Sequence, residues 1–211
     1  MKLSTTLLTT AGLALAFSTG GAILSSVGLE DPMPAASANI AADSYEVDGL
    51  HSSVVFRVGY MGVSHFYGRF NGVSGTYSLD YENPSESQID IAIDAASIDT
   101  AHEGRDDHLK GADFFSAKEF PQITFTGTSF EAVDADTIRV TGDLTMRGVT
   151  EEVTVDIDWV GEREDPRGGY RSGISANMTV PRSDFGVNYG VATGALGNDV
   201  TIMIGLTGMR Q

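Results

Sequence analysis

The feature that most constrains this chain is an alternation of apolar and polar side chains with a period of two. In residues 137–146, Ile138, Val140, Gly142, Leu144 and Met146 alternate with Thr137, Arg139, Thr141, Asp143 and Thr145. Residues 88–94 place Ile89, Ile91 and Ile93 between Asp90, Ala92 and Asp94, and residues 152–160 set Val153, Val155, Ile157 and Trp159 between acids and Thr154. Near the C-terminus, Val200, Ile202, Ile204 and Leu206 repeat the pattern. Successive strand side chains point to opposite faces, so such segments are strands with one buried and one wet face, as in antiparallel sheets. Residues 52–58, 73–79, 123–130 and 170–180 bring the set to eight predicted strands, separated by turn-rich stretches such as Glu82-Asn83-Pro84-Ser85 and Asp165-Pro166-Arg167-Gly168-Gly169.

One segment reads as helix, residues 101–110, with Thr100 as N-cap, Glu103 completing a capping box and Gly111 as the stop. A second short helical turn is expected around residues 61–66, weakened by Gly59, Gly62 and Gly68. Long half-apolar antiparallel strands form either a sandwich or a closed barrel, and closure removes aggregation-prone edges. The expected fold is all-β: a single eight-stranded antiparallel barrel with one or two short helices. Its interior is either filled by side chains or holds one small ligand. A membrane barrel would carry apolar residues outside and aromatic girdles at both rims. Here the outer face is rich in Asp, Thr and Glu, and Trp159 is the only Trp, which excludes it.

The N-terminus reads as an address. Lys2 is followed by an uncharged run from Leu3 to Leu29 containing Leu7, Leu8, Leu13, Leu15 and Phe17, and Ala36-Ser37-Ala38 offers a small-x-small cleavage site. Residues 1–38 are therefore expected to be a cleaved signal peptide, with a retained anchor as the rival reading, and residues 39–211 to be one domain of a periplasmic or secreted protein. The absence of Cys means that export brings no disulfides, so the core alone must hold the fold. A formal charge of −16 excludes a nucleic-acid binder, whose phosphate contacts need a basic face. It argues equally against electrostatic attachment to anionic lipid, leaving transient membrane contact at most. A homodimer is compatible with the composition.

A set of short motifs resembles one family in its order along the chain. Tyr45-Glu46-Val47-Asp48, His51-Ser52-Ser53-Val54 and Phe56 come first, then Gly62-Val63-Ser64 and Gly68-Arg69-Phe70-Asn71. Ser97-Ile98-Asp99-Thr100, Arg105-Asp106, His108-Leu109 and Asp113-Phe114-Phe115 follow. Phe120-Pro121, Ile123, Phe125, Gly142-Asp143-Leu144-Thr145-Met146, Gly148, Arg182 and Asp184-Phe185-Gly186 complete the series, which spans residues 45–208. Together these resemble the YceI-like family. The resemblance implies an exported bacterial protein with a lipocalin-like barrel whose lumen holds a polyisoprenoid chain. One departure is Gly59-Tyr60 before Met61, where many relatives carry a basic residue or His.

Such a lipid needs a long, dry, mostly aliphatic tube with few polar anchors. Burying one five-carbon isoprene unit is worth on the order of 3 kcal/mol gross, so a few units suffice for tight binding. The period-two faces nominate Phe56, Val58, Tyr77, Leu79, Ile91, Ile93, Phe125, Val140, Leu144, Val155, Ile157, Trp159, Ile174, Met178, Ile202 and Ile204 as tube wall. Each is equally suited to simple core filling, since every barrel turns apolar side chains inward. Phe66, Phe114, Phe115 and Phe120 are aromatics in segments otherwise built for the surface, and they are expected near the lumen, as lid or as plug. Arg182, at a strand end, either meets a lipid head group or pairs with Asp184; Arg57 falls on the polar face.

Catalytic readings are weaker. His102 and Asp106 sit one helical turn apart, but His108 lies off that face and no third metal ligand is well spaced. His51 beside Ser52 and Ser53 lacks a nucleophile elbow, and the pairs Asp90/Asp94 and Asp156/Asp158 belong to wet strand faces. No glycine pattern of a nucleotide-binding loop is present. The sequence thus points to a non-catalytic, cofactor-free protein whose partner is a polyisoprenoid or isoprenoid-quinone lipid, for transport, storage or stress protection. A hydrolase or metal-dependent enzyme using the His102–His108 segment and a stress barrel with a filled lumen are the alternatives.

Overall fold

Alternating β-branched and polar residues favour extended chain, and the strands that result pair with sequence neighbours except where the last meets the first. The computed structural model describes residues 43–211; the leader expected over residues 1–38 lies outside the described residues. The strands are β1 (Tyr45–Val47), β2 (Ser53–Tyr60), β3 (Ser64–Phe70), β4 (Val73–Ser78), β5 (Gln88–Asp94), β6 (Ile98–Asp99), β7 (Gln122–Ala132), β8 (Thr137–Met146), β9 (Val149–Glu164), β10 (Tyr170–Pro181) and β11 (Leu196–Arg210). Among the described residues the one α-helix, α1 (Glu103–Lys110), stands between β6 and β7.

The eleven segments make eight barrel strands, because three of these are interrupted. β11 pairs with β1 through Tyr45↔Arg210 and with β2 through Val54↔Ile204, so β1 and β2 are one broken strand. β1 and β2 in turn pair with β4 and β3, through Tyr45↔Tyr77 and Val54↔Phe70. β5 and β6 continue the pattern, through Val73↔Ile93 and Phe70↔Ile98. From there β5, β7, β8, β9, β10 and β11 follow in order, every pairing antiparallel, and β1 closes the ring. The fold is the closed eight-stranded antiparallel barrel that the alternation implies, with one helix. Closure leaves no long free edge.

Two local expectations are corrected. Residues 61–66 are not helical: 61–63 form the tip of the β2–β3 hairpin and 64–66 begin β3, with Tyr60 opposite Ser64 and Met61 and Gly62 both at positive φ. The helix cap is His102 rather than Thr100, its ring Nδ1 accepting from the Arg105 N–H at 3.2 Å. Thr100 is instead buried, its N–H and hydroxyl both donating to the Asp106 carboxylate.

Turn chemistry sets the register of the long hairpins. Between β8 and β9, Arg147 and Gly148 both hold positive φ, 52° and 75°, as a two-residue type I′ turn requires. In β7 an extra residue, Thr128, shifts the pairing from Gly127↔Gly142 to Ser129↔Thr141. This bulge changes the phase of the alternation, so Phe125 and Phe130 both pack on the core although their positions differ by five, an odd step.

The two barrel ends differ. At one end Tyr45 and Tyr77 stack with ring centroids 5.4 Å apart, over Gly208. The Tyr77 hydroxyl donates to the Ser172 carbonyl at 3.0 Å, and the Tyr45 hydroxyl donates to Glu162 at 2.7 Å. Burial pushes the Tyr45 phenol up to about 12, so it remains a donor. Ile138 and Val140, fully buried, fill the space above. This end is closed. The other is framed by the β2–β3 tip, the β8–β9 turn, α1 and the 182–195 connection between β10 and β11.

Candidate functional site

The inward faces of the strands enclose a cavity of about 410 Å³, open toward the framed end. Its wall is aliphatic and aromatic almost throughout. β2 supplies Phe56 and Val58, β5 supplies Ile91 and Ile93, β7 supplies Phe125 and β8 supplies Leu144. Val155 and Ile157 come from β9, Ile174 and Met178 from β10, and Ile202 and Ile204 from β11. Phe66, Phe114 and Phe115 line the cavity nearer its mouth, with Arg182 beside them.

Four residues nominated for the wall lie elsewhere. Tyr77 belongs to the closing stack, Val140 is fully buried beneath the cavity, and Leu79 packs on the core without reaching the cavity. Trp159 is 43% exposed, its ring 6.4 Å from that of Tyr81. Phe120 is also away from the lumen, packed over Gly148. The first three point to the interior as their alternation implies, but their depth along the barrel differs.

Other lining residues were not nominated for the wall. Val54, Ile89, Ile123, Met146 and Leu206 extend the same inward faces by one step of two, and Phe70 lines the cavity from β3. Arg105, His108 and Leu109 of α1 also reach the cavity. Their i, i+3, i+4 spacing is the helical signal that would have found them, masked because two of the three are polar.

The polar groups gather at the mouth. The Arg105 guanidinium donates through Nε to the Thr100 hydroxyl at 2.8 Å and through Nη2 to the Thr100 carbonyl at 2.7 Å. It lies 4.3 Å over the Phe66 ring, a cation–π contact that keeps it against the apolar rim. The His108 ring packs edge to face on Phe114 and on Tyr189, with centroids 5.1 and 5.0 Å away, and its Nε2 stands 3.0 Å from Asp113. Tyr189 and Phe114 are 5.1 Å apart, so three rings join α1, the following turn and the 182–195 connection.

Arg182 does not pair with Asp184. It is buried, and its guanidinium donates to the carbonyls of Gly197 and Val187, each at 2.8 Å, and of Tyr189 at 2.8 Å, with a longer bond to Leu196. Burial lowers its pKa from the usual arginine value, but a guanidinium stays protonated. Its role in the structure is to clamp the 182–195 connection onto the start of β11. Arg147 does the same from the other side, donating to the carbonyls of Phe114 at 2.8 Å and Gly186 at 3.2 Å.

The groups considered for catalysis are dispersed. His51 Nδ1 is 2.7 Å from Asp48, while Ser52 donates to the Asp48 carbonyl. Asp156 holds Arg139 in a two-point pair at 2.8 and 2.9 Å, and Asp158 accepts from Thr137. Among the described residues, no three His, Cys, Asp or Glu side chains stand close enough to hold a metal ion. Chemically, the site can sequester an elongated apolar molecule and meet its end with a few hydrogen-bond donors.

The model of the YceI-like domain matches residues 45–207. Protein YceI of Escherichia coli O157:H7 is 38% identical over 181 residues, covering 85% of this chain and 93% of its own. Among solved structures, Burkholderia cenocepacia BcnA superposes with a TM-score of 0.69 at 26% identity, over 76% of this chain and 98% of its own. A polyisoprenoid binding domain from Saccharophagus degradans, implicated in plant cell wall breakdown, superposes with a TM-score of 0.61 over 79% of this chain and 98% of its own. At 16% identity the latter likeness is one of fold.

Proposed function

The chain belongs to the YceI-like family, and from that premise we propose that it is an exported, non-catalytic carrier that holds a long isoprenoid lipid in its lumen. The observation that carries this reading is the blind-ended cavity of about 410 Å³ with an almost wholly apolar wall and its charged and titratable side chains, Arg105, His108 and Arg182, toward one mouth. A volume in the few-hundred Å³ range is that of ligand sites rather than of packing defects. The polyisoprenoid binding domain that shares the fold supports the ligand class. The leader-like residues 1–38 support export, and with it a place where such lipids are handled at the cell envelope.

Binding is driven by the tail. Each isoprene unit buried against Ile91, Ile202 or Met178 contributes on the order of 3 kcal/mol before ordering costs. An anionic head gains little from the protein's overall field, which is negative. Arg182 is already engaged by backbone carbonyls. Arg105 and His108 at the rim are the groups positioned to meet a head group.

The test is to titrate delipidated protein with a prenyl diphosphate and with the matching uncharged alcohol or quinone, at low and moderate salt. Tail-driven binding gives affinities within about tenfold, roughly 1.4 kcal/mol, with weak salt dependence. A hundredfold preference for the diphosphate, abolished by Arg182→Ala or Arg105→Ala, would overturn it.

A further inference from the structure

The mouth carries an exposed apolar surface that the barrel does not use. Tyr60, Met61, Val63 and Tyr67 on the β2–β3 hairpin are 46, 60, 81 and 54% exposed, and Tyr189 on the 182–195 connection is 50% exposed. The two elements are joined: the Met61 N–H donates to the Ala195 carbonyl at 3.0 Å, and Tyr60 pairs with Leu196. Tyr60 and Tyr189 also line the cavity, so the surface is continuous with the lumen.

Charge sets this surface apart. The protein has 29 acidic residues, yet none occurs between Asp48 and Asp80, the stretch that holds the hairpin, or between Asp184 and Asp199, the stretch that holds Tyr189. Exposed apolar side chains at the opposite end, such as Trp159, Val160 and Tyr170, sit among Asp158, Glu162 and Glu164. Folding gives no reason for Met61 at the hairpin tip either. It is solvated and held at φ 51°, where an ordinary side chain is disfavoured.

We propose that the hairpin tip and Tyr189 dock the mouth on a lipid bilayer, with Met61 and Val63 entering the interface and the tyrosines seated at head-group depth. Tyrosine is favoured there because its ring is apolar and its hydroxyl wet. α1 borders the patch, with Arg105 over Phe66 and His108 against Tyr189, and its Glu103 and Asp107 are exposed, so the molecule tilts with the hairpin leading and the helix held away from the surface. A lipid would then pass between bilayer and lumen along Tyr60 and Tyr189 without crossing water. The inference rests on the lipid-carrier reading for its purpose, but not for its geometry.

The test places a fluorophore at the tip of the full chain. Trp159 is the only Trp, so Val63→Trp in a Trp159→Phe background reports from the hairpin alone. Leu50→Trp in the same background is the comparison, because Leu50 is 93% exposed on the turn before β2, with about 23 Å of strand between Ser53 and Tyr60. Phosphatidylcholine vesicles should shift the emission of residue 63 to the blue, with quenching by brominated acyl chains, and leave residue 50 unchanged. Adding Met61→Ser to Val63→Ser should weaken vesicle partition by at least about tenfold. No shift at residue 63, or an equal shift at residue 50, would overturn the proposal. So would a shift at residue 63 that needs no vesicles and grows with protein concentration, since a second copy would then cover the patch. Lumen loading, read separately by native mass spectrometry, distinguishes a failure of docking from a failure of the carrier reading.

Discussion

His108 of α1 and Tyr189 of the 182–195 connection meet edge to face, ring centroids 5.0 Å apart and planes at 86°. Both line the cavity, and their contact ties the helix to the loop across its mouth. An aromatic edge-to-face pair is worth about 0.5–1.5 kcal/mol beyond its area. Tyr189→Ala should therefore speed release of a bound prenyl lipid by roughly two- to tenfold, with little change in Tm. Displacement kinetics with a fluorescent prenyl analogue would show it; unchanged release would mean that the rings do not gate the mouth.

Arg182 should matter for the fold more than for the head group. Arg182→Met removes the donor to the carbonyls of Gly197, Val187, Tyr189 and Leu196. A loss of at least about 2 kcal/mol is expected from stranded buried acceptors. Urea unfolding measures it. The preference between a prenyl diphosphate and the matching alcohol should stay as in the parent, and a selective loss of diphosphate affinity would place Arg182 at the head group after all.

The closed end depends on the absence of a side chain at residue 208. A Cβ there would lie 2.6 Å from both the Tyr45 Cβ and the Tyr77 hydroxyl. Gly208→Ala forces one of the stacked rings aside, which should cost about 1–3 kcal/mol and lower Tm by several degrees. Thermal unfolding monitored by circular dichroism is the check.

Acid should loosen the junction of β1 and β2. Arg171 donates to Asp48 at 2.6 Å and His51 stands 2.7 Å away, and together they hold the carboxyl at about 2 against its usual 3.8. Because the folded value is the lower one, the stabilisation is full above about pH 4 and is lost as pH falls toward 2. Asp48→Asn should cost about 1–2 kcal/mol at neutral pH, and the gap between variant and parent should close across that window. A gap independent of pH would assign the cost to shape rather than charge.

The alternation carried most of the fold. Residues 88–94 and 137–146 form strands with the bounds read from sequence, because polar turns flank an unbroken period of two. What alternation specifies is the face of a strand, not the depth of a residue along the barrel. Depth follows from the stagger between strands, and that is why Tyr77, Leu79 and Val140 face inward yet lie outside the cavity. The β2–β3 tip escaped because its glycines weaken strand and helix signals alike, and the turn is settled by the left-handed backbone at Met61 and Gly62. The mouth was the least legible part. Arg105 and His108 are polar residues on a short helix with no buried residue, and only the tertiary placement of α1 turns them to the lumen.

The most direct test of lipid carriage is native mass spectrometry of the gently purified protein beside Ala176→Phe. Ala176 is buried, lines the cavity and sits opposite Ile157 and Ile204, so a phenyl ring there fills the lumen from within. The parent should carry a prenyl lipid, or take up one per chain when offered a prenyl alcohol or quinone, while Ala176→Phe keeps its strand spectrum and takes up none. A parent that stays empty and refuses every prenyl lipid, or a filled variant that binds as well as the parent, would contradict the account.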